Sequence, residues 1–245
     1  MNRPLPPGPT ILELDRVEMG FEPVPYAFTA SERAAIDAYY AGKLQANPEL
    51  WNGRVLILAA HRFEGRTLLG RYAESDYASL LWLIGGNPPH PRARLCFSMG
   101  ALRGADGGFV LVRMAAWTAN AGRIYFAAGT PDPSDLTPDG RVDLEGSMLR
   151  EFEEETGLAA SEVRLAPTWT ALHDERRIAL MRQLVAREEA EVLAARIRAF
   201  AAGEERSEID EVFVMRGPDD FREGTTPFLR AYLAAAWEAD KLGSR

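Results

Sequence analysis

The spacing of apolar positions changes several times along the chain, and each change predicts an element. Between residues 31 and 46, Ile36, Tyr39, Tyr40 and Leu44 recur at the three- and four-residue spacing of a single helix face. Ser31 is a candidate N-cap for this helix, and Asn47-Pro48 ends it. Branched and apolar runs predict strands over 54–60 and 67–72, joined across a Glu64-Gly65 turn. A short helix is expected over 76–84. Residues 85–91 (GGNPPHP) then break all regular structure, which places a boundary near residue 92. Beyond it, strands are expected over 94–102, 109–116 and 123–127, followed by a proline-bearing loop over 130–142. Asp143 is placed to cap an acidic helix. Strands over 163–172 and 177–186, a helix over 188–202, a strand over 211–216 and a helix opening at Thr226-Pro227 complete the pattern. The proline-rich residues 1–29 are expected to run as an extended arm over the surface.

Strands, an acidic helix, further strands and a covering helix imply an α/β sandwich around a mixed sheet. The expected organisation is an N-terminal α/β extension over residues 1–92 and a second domain over 93–245. The 245 residues are enough to bury a substantial core, and 47% hydrophobic with 26% charged residues is ordinary for a globular chain. A net charge of −8 leaves no basic footprint, so nucleic acid is not an expected partner. No apolar run is long enough to span a bilayer, and the N-terminus has no secretory pattern. A cytoplasmic location is therefore expected, with a homodimer left open. Cys96 is the one cysteine and is expected to be a buried, inert thiol.

The candidate chemistry is concentrated in residues 150–158, REFEEETGL. On a helix, Glu151, Glu154 and Glu155 share one face, while Met148, Leu149 and Phe152 turn inward. Crowded carboxylates repel and raise one another's pKa, and a hard divalent cation such as Mg²⁺ or Mn²⁺ relieves that penalty. Arg150 lies beside Glu151 and one turn before Glu154, and Gly157 suits a left-handed C-terminal residue. Acidic surface helices share this composition; the order of the residues separates the two cases.

That order, R-E-apolar-x-E-E-x-G-apolar, resembles the second half of the Nudix hydrolase signature, and every specified position is matched. The first half of the signature is looser here. Gly129, in Ala127-Ala128-Gly129, stands for its glycine, and Val142 takes the position of its upstream glutamate, after a loop about seven residues longer than the family's. The resemblance covers about residues 94–216 and implies a three-layer α/β/α sandwich. It further implies divalent-metal-dependent hydrolysis of a nucleoside diphosphate linked to another group. In that reading Glu151, Glu154 and Glu155 are metal ligands and Arg150 fixes their geometry. The long loop, the N-terminal extension and segments such as Trp51-Asn52-Gly53 resemble the branch acting on UDP-sugars. A Nudix-fold module that senses a nucleotide without cleaving it is the alternative, and Val142 favours it.

The resemblance implies a general base whose position varies among Nudix enzymes; the loop before the last strand is one location, where Glu208 is preferred among the acidic residues of 203–211 (GEERSEIDE), with an ordinary loop charge the alternative. Gly129, Arg177 and Arg182 are candidate substrate contacts, with ordinary surface roles the alternative for the arginines. Trp117 and Tyr125 would either stack on a base or simply pack. His173-Asp174 is either an acid/base pair or a turn. The loop over 130–142, with Asp132, Asp135 and Asp139, is expected to fold over the distal group of the substrate.

Overall fold

Alternating residues 10–22 already carry the plan of the fold. The computed structural model describes residues 9–86 and 88–243. Residues 1–8 of the expected arm, and Asn87 of the expected break, lie outside the described residues. The rest of the arm holds two paired strands, β1 (Thr10–Leu14) and β2 (Arg16–Glu22). Its prolines flank these strands and leave both free to pair. Leu14 and Met19 turn inward and are buried, while Glu13 and Glu18 face out.

The two strands belong to different sheets, with Asp15 alone between them. Strand β2 runs parallel to β4 (Thr67–Asp76), which pairs antiparallel with β3 (Arg54–Glu64) in a three-stranded sheet. Helix α1 (Ala30–Ala46) is capped by Thr29 rather than Ser31, because Thr29 and Glu32 form a reciprocal capping box. Helix α2 (Tyr77–Gly85) is capped by Asp76, which accepts from the Ser79 N–H at 2.8 Å.

Strand β1 joins the edge of an eight-stranded sheet by pairing antiparallel with β9 (Trp169–His173). The order continues through β10 (Arg177–Ala186), β5 (Leu95–Arg103), β6 (Phe109–Met114) and β11 (Ile209–Met215). Only β10 and β5 run parallel, so the sheet is mixed. Short β7 (Ile124–Tyr125) pairs with β6, and β8 (Val163–Leu165) pairs with β10. The single strand expected over 163–172 is two strands, since Pro167 has no N–H to continue the ladder.

Alternation along β5 gives the three layers. Phe97 meets Phe228 of α5 (Pro227–Gly243) on one face, with ring centroids 6.1 Å apart. On the other face the Ser98 hydroxyl donates to the Leu144 carbonyl of α3 (Leu144–Thr156) at 2.7 Å. Helix α4 (Ala190–Gly203) packs beside α3 and against β11. The architecture is the expected α/β sandwich around a mixed sheet.

The boundary near residue 92 falls between α2 and β5, and buried side chains form one continuous cluster from Leu14 to Trp237. The Tyr72 hydroxyl of β4 donates to the Cys96 carbonyl of β5 at 2.9 Å. The Cys96 thiol is buried, and burial pushes its pKa up to about 12, which matches an inert role. Among the described residues no helix is long and apolar enough to cross a membrane.

The long loop stitches the two sheets together. The Leu56 N–H donates to the Pro131 carbonyl at 2.7 Å, Phe21 to Gly140 at 3.0 Å, and Val142 to Met19 at 2.9 Å. Val142 is therefore core, 5% exposed, with no opening toward solvent for a carboxylate at that position.

Candidate active site

Helix α3 is fixed at both ends and along one side. Asp143 caps it by accepting from the Gly146 N–H at 2.9 Å, and Gly157 ends it at φ 68°, in the left-handed region. Phe152 and Met148 are buried against the sheet. With that side committed, Glu151, Glu154 and Glu155 turn away from the sheet, Glu154 exposed and the other two partly buried. Glu151 and Glu155 border a cavity of about 420 Å³, and all three border an adjoining one of about 240 Å³. Glu208, just before β11, and Arg206 line both. The structure thus brings the helix glutamates and the preferred loop glutamate to one place.

The electrostatics of this place are strained. Burial, then the charges of Glu151, Glu208 and Glu154, hold the Glu155 carboxyl well above its ordinary pKa, and a backbone contact from Ala128 only partly opposes this. Its Oε2 is inaccessible and has no hydrogen-bond partner. Glu151 is raised by burial, against the pull of Arg150. Glu208 is raised by burial and by Glu204.

Arg150 is the organising cation. It donates to Glu151 Oε1 at 2.6 Å, to Glu154 Oε2 at 3.4 Å and to Asp135 Oδ1 at 3.0 Å. Its burial opposes ionisation, but the hydrogen bond it donates to Asp135 and the charge of Glu151 outweigh this and raise its pKa. Asp135 is itself buried, and it also accepts from the Ser147 hydroxyl and the Asp132 N–H, each at 3.0 Å. A short 3₁₀ turn, Pro133–Asp135, presents it.

Sequence reasoning placed the 130–142 loop over the substrate. The structure differs: none of residues 130–141 lines either cavity. The Leu136–Val142 bridge and the pairing with β2 and β3 fold the loop back beneath α3 instead. Gly129 does sit at the cavity wall, directly against Glu151; a Cβ there would lie 2.3 Å from Glu151 Cδ.

Arg177 and Arg182 border neither cavity. Arg177 pairs with Asp174 at 3.3 Å and lies over the Phe228 ring. Arg182 donates to the Ala166 carbonyl at 2.8 Å and to Glu145, and lies over Trp169. His173 meets Arg94 at 3.0 Å, and Asp174 accepts from the N–H groups of Arg176 and Arg177, as a turn residue does. Trp117 and Tyr125 do line the larger cavity, with Trp51 and Tyr77 from the N-terminal segment. Asp135 was expected on a loop over the substrate and instead braces Arg150. Trp51 and Arg206 were not singled out as site residues from the sequence; they come from segments outside the signature, and only the fold brings them close.

Among the described residues, no three or more His, Cys, Asp or Glu side chains are arranged to hold a metal ion. The donor chemistry nonetheless fits a hard divalent cation. Glu155 presents an unpartnered buried oxygen, and Glu151 and Glu154 share its cavity as further carboxylates.

The chain matches no protein-family model and no curated protein. The solved structures it matches include a MutT protein from Methanosarcina mazei Go1, at 15% identity and a TM-score of 0.35, covering 62% of this chain and 96% of that one. Another is RenU, a Nudix hydrolase from M. smegmatis, at 14% identity and a TM-score of 0.34, covering 62% and 84% of the two chains. Likeness at this level leaves the site to be argued from its own residues.

Proposed function

We propose that the chain is a Nudix-type hydrolase that cleaves a nucleoside diphosphate linked to another group, with sugar nucleotides such as UDP-sugars the first class to test. The observation that carries the reading is the Glu155 carboxylate, whose Oε2 has no hydrogen-bond partner, crowded by Glu151 and Glu208 in the lining of a cavity that also holds aromatic rings. Glu151, Glu154 and Glu155 would hold Mg²⁺ or Mn²⁺, which when bound neutralises the charge of the diphosphate. Arg150, braced by Asp135, orients the Glu151 carboxylate. Glu208 stands in the loop before β11, and its raised pKa makes it a better proton acceptor than an ordinary carboxylate. It takes the proton of a water whose oxygen bonds to phosphorus as the bridging P–O bond breaks. Arg206, also at the cavity, is the cation available to the departing phosphate.

Product formation from a panel of nucleoside diphosphate sugars, with and without divalent ions, tests this. Turnover is expected only with the ion present. The sensing module has its own support in the buried Val142 and in the absence, among the described residues, of a formed three-carboxylate group. Tight nucleotide binding without turnover under any divalent ion would establish it and overturn the hydrolase.

Gly129→Ala checks the position of Glu151. The new methyl meets only the end of a flexible side chain, so folding is expected to survive. The carboxylate must move, and kcat/KM on the best substrate is expected to fall about tenfold. An unchanged kcat/KM would mean that the placement of Glu151 does not matter to the reaction.

A further inference from the structure

One motif of the N-terminal segment, Trp51-Asn52-Gly53, sets a tryptophan in the lining of the large cavity. Trp51 is 61% exposed, an uncommon state for a tryptophan outside a binding surface. Its position is nevertheless determined from both sides. Before it, the Leu50 carbonyl accepts from the Tyr40 hydroxyl at 2.7 Å. After it, Asn52 accepts from the Ala78 N–H at 2.8 Å and the Gly53 carbonyl accepts from the Tyr77 N–H at 2.9 Å, both at the start of α2. Gly53 has a separate role. The indole lies over it so closely that a Cβ would sit 1.5 Å from Trp51 Cζ2, so only glycine admits this ring position.

The cavity lining combines two chemistries. Glu151, Glu155 and Glu208 supply carboxylates, and Glu49, also in the lining, accepts from Arg206 at 2.8 Å. Trp51 stands with its ring 5.9 Å from that of Tyr77. Trp117 is part of the same lining, with the Arg206 guanidinium 4.2 Å from its ring centroid. Asn47 and Asn120 add amide groups, which both donate and accept. Fixed aromatic faces bordered by amides suit a planar, polar-edged aromatic ring. A free ribose has no π face to stack on the indole.

We propose that Trp51 is the stacking platform for the nucleobase of the substrate, so that the base lies at the N-terminal segment and the diphosphate at α3. This deepens the hydrolase reading and rests on it for the position of the diphosphate. The base contact itself needs neither metal nor cleavage. It also gives the first ninety residues a role in the site, since they supply the wall that recognises the base.

Neutral probes separate the two claims, because the carboxylates of the lining do not repel them. Adenosine and uridine, with ribose as the control, are titrated into the full chain without divalent ions and followed by NMR shifts. Both nucleosides are expected to bind and ribose to fail. Trp51→Ala is expected to weaken nucleoside binding about tenfold or more, since stacking of one base on an aromatic ring is worth that much. Trp51→Phe should retain most of the binding, and Gly53→Ala, which displaces the indole without removing it, should weaken binding as Trp51→Ala does. Ribose binding as well as the nucleosides, or Trp51→Ala leaving their affinity unchanged, overturns the platform even if the chain hydrolyses sugar nucleotides. Trp51-dependent nucleoside binding in a chain that cleaves nothing supports the platform and removes the hydrolase.

Discussion

Glu155→Gln is expected to lower turnover by about two orders of magnitude or more while leaving the metal-free fold at least as stable as the wild type at neutral pH. Loss of a metal ligand accounts for the first effect. The second follows from the environment of the carboxylate. Its folded-state pKa is raised, first by burial and then by neighbouring glutamates, so the unfolded chain ionises at lower pH than the folded one. As pH rises above the ordinary carboxylate range, the unfolded state therefore releases a proton that the folded state still holds, and stability falls. Glutamine has no proton to lose, so the variant should show a flatter decline. Urea unfolding at pH 5 and pH 8 without divalent ions measures the difference. Adding Mg²⁺ should then raise the wild-type midpoint and leave the variant nearly unmoved. A variant with wild-type turnover, or one much less stable at pH 8, would contradict this account of the site.

Asp135→Ala is expected to cost about 10- to 100-fold in kcat/KM and about 2 kcal/mol in stability. The activity loss is indirect, because Asp135 borders neither cavity. It holds one side of the Arg150 guanidinium, whose other side holds Glu151. Without Asp135, Arg150 is free to turn wholly toward the glutamates and to compete with a cation for their oxygens. The stability loss comes from the Ser147 hydroxyl and the Asp132 N–H, which lose their acceptor. Asp135→Asn keeps an oxygen for those donors but loses the charge, so it should recover stability more than activity. Parallel recovery of both would reduce Asp135 to a purely structural residue. Shortening residues 130–141 removes the brace of Arg150 and should lower kcat, whereas a loop folded over the substrate would have raised KM or broadened substrate choice.

The acidic helix was legible because its information is local. Spacing put the glutamates on one face, Asp143 and Gly157 marked the ends, and each lies within a few residues of what it controls. Glu208 was legible as one acidic residue of a loop, and only the fold distinguished it from its neighbours. The strands at residues 10–22 were hidden by the prolines on either side, although their own alternation is clear. Asp135 was hidden differently. The loop looked like an insertion measured by its length, whereas its effect comes from one turn that returns a carboxylate to Arg150. Trp51 was legible only as part of a segment resembling the UDP-sugar branch, and nothing local said what its ring would face. Its meaning depends on α2 and on a cavity that also takes in Glu151, Glu155 and Glu208, a hundred or more residues away in the chain.

The separation of β1 and β2 by Asp15 sets the order in which the chain can be completed as it is made. The small sheet has all its strands once residue 76 has left the ribosome. Strand β1 must wait for β9, which ends at residue 173, before its edge is paired. At roughly 5–20 residues per second, that wait lasts about 5–20 s. Throughout it, an unpaired strand carrying Ile11, Leu12 and Leu14 trails from a sheet that has already closed, within reach of neighbouring nascent chains. Glu13 within this strand and Asp15 and Arg16 just after it are charges of the kind that discourage such pairing, so they protect the chain during synthesis before Glu13 and Asp15 accept from the Arg66 guanidinium, each at 2.8 Å, in the finished fold.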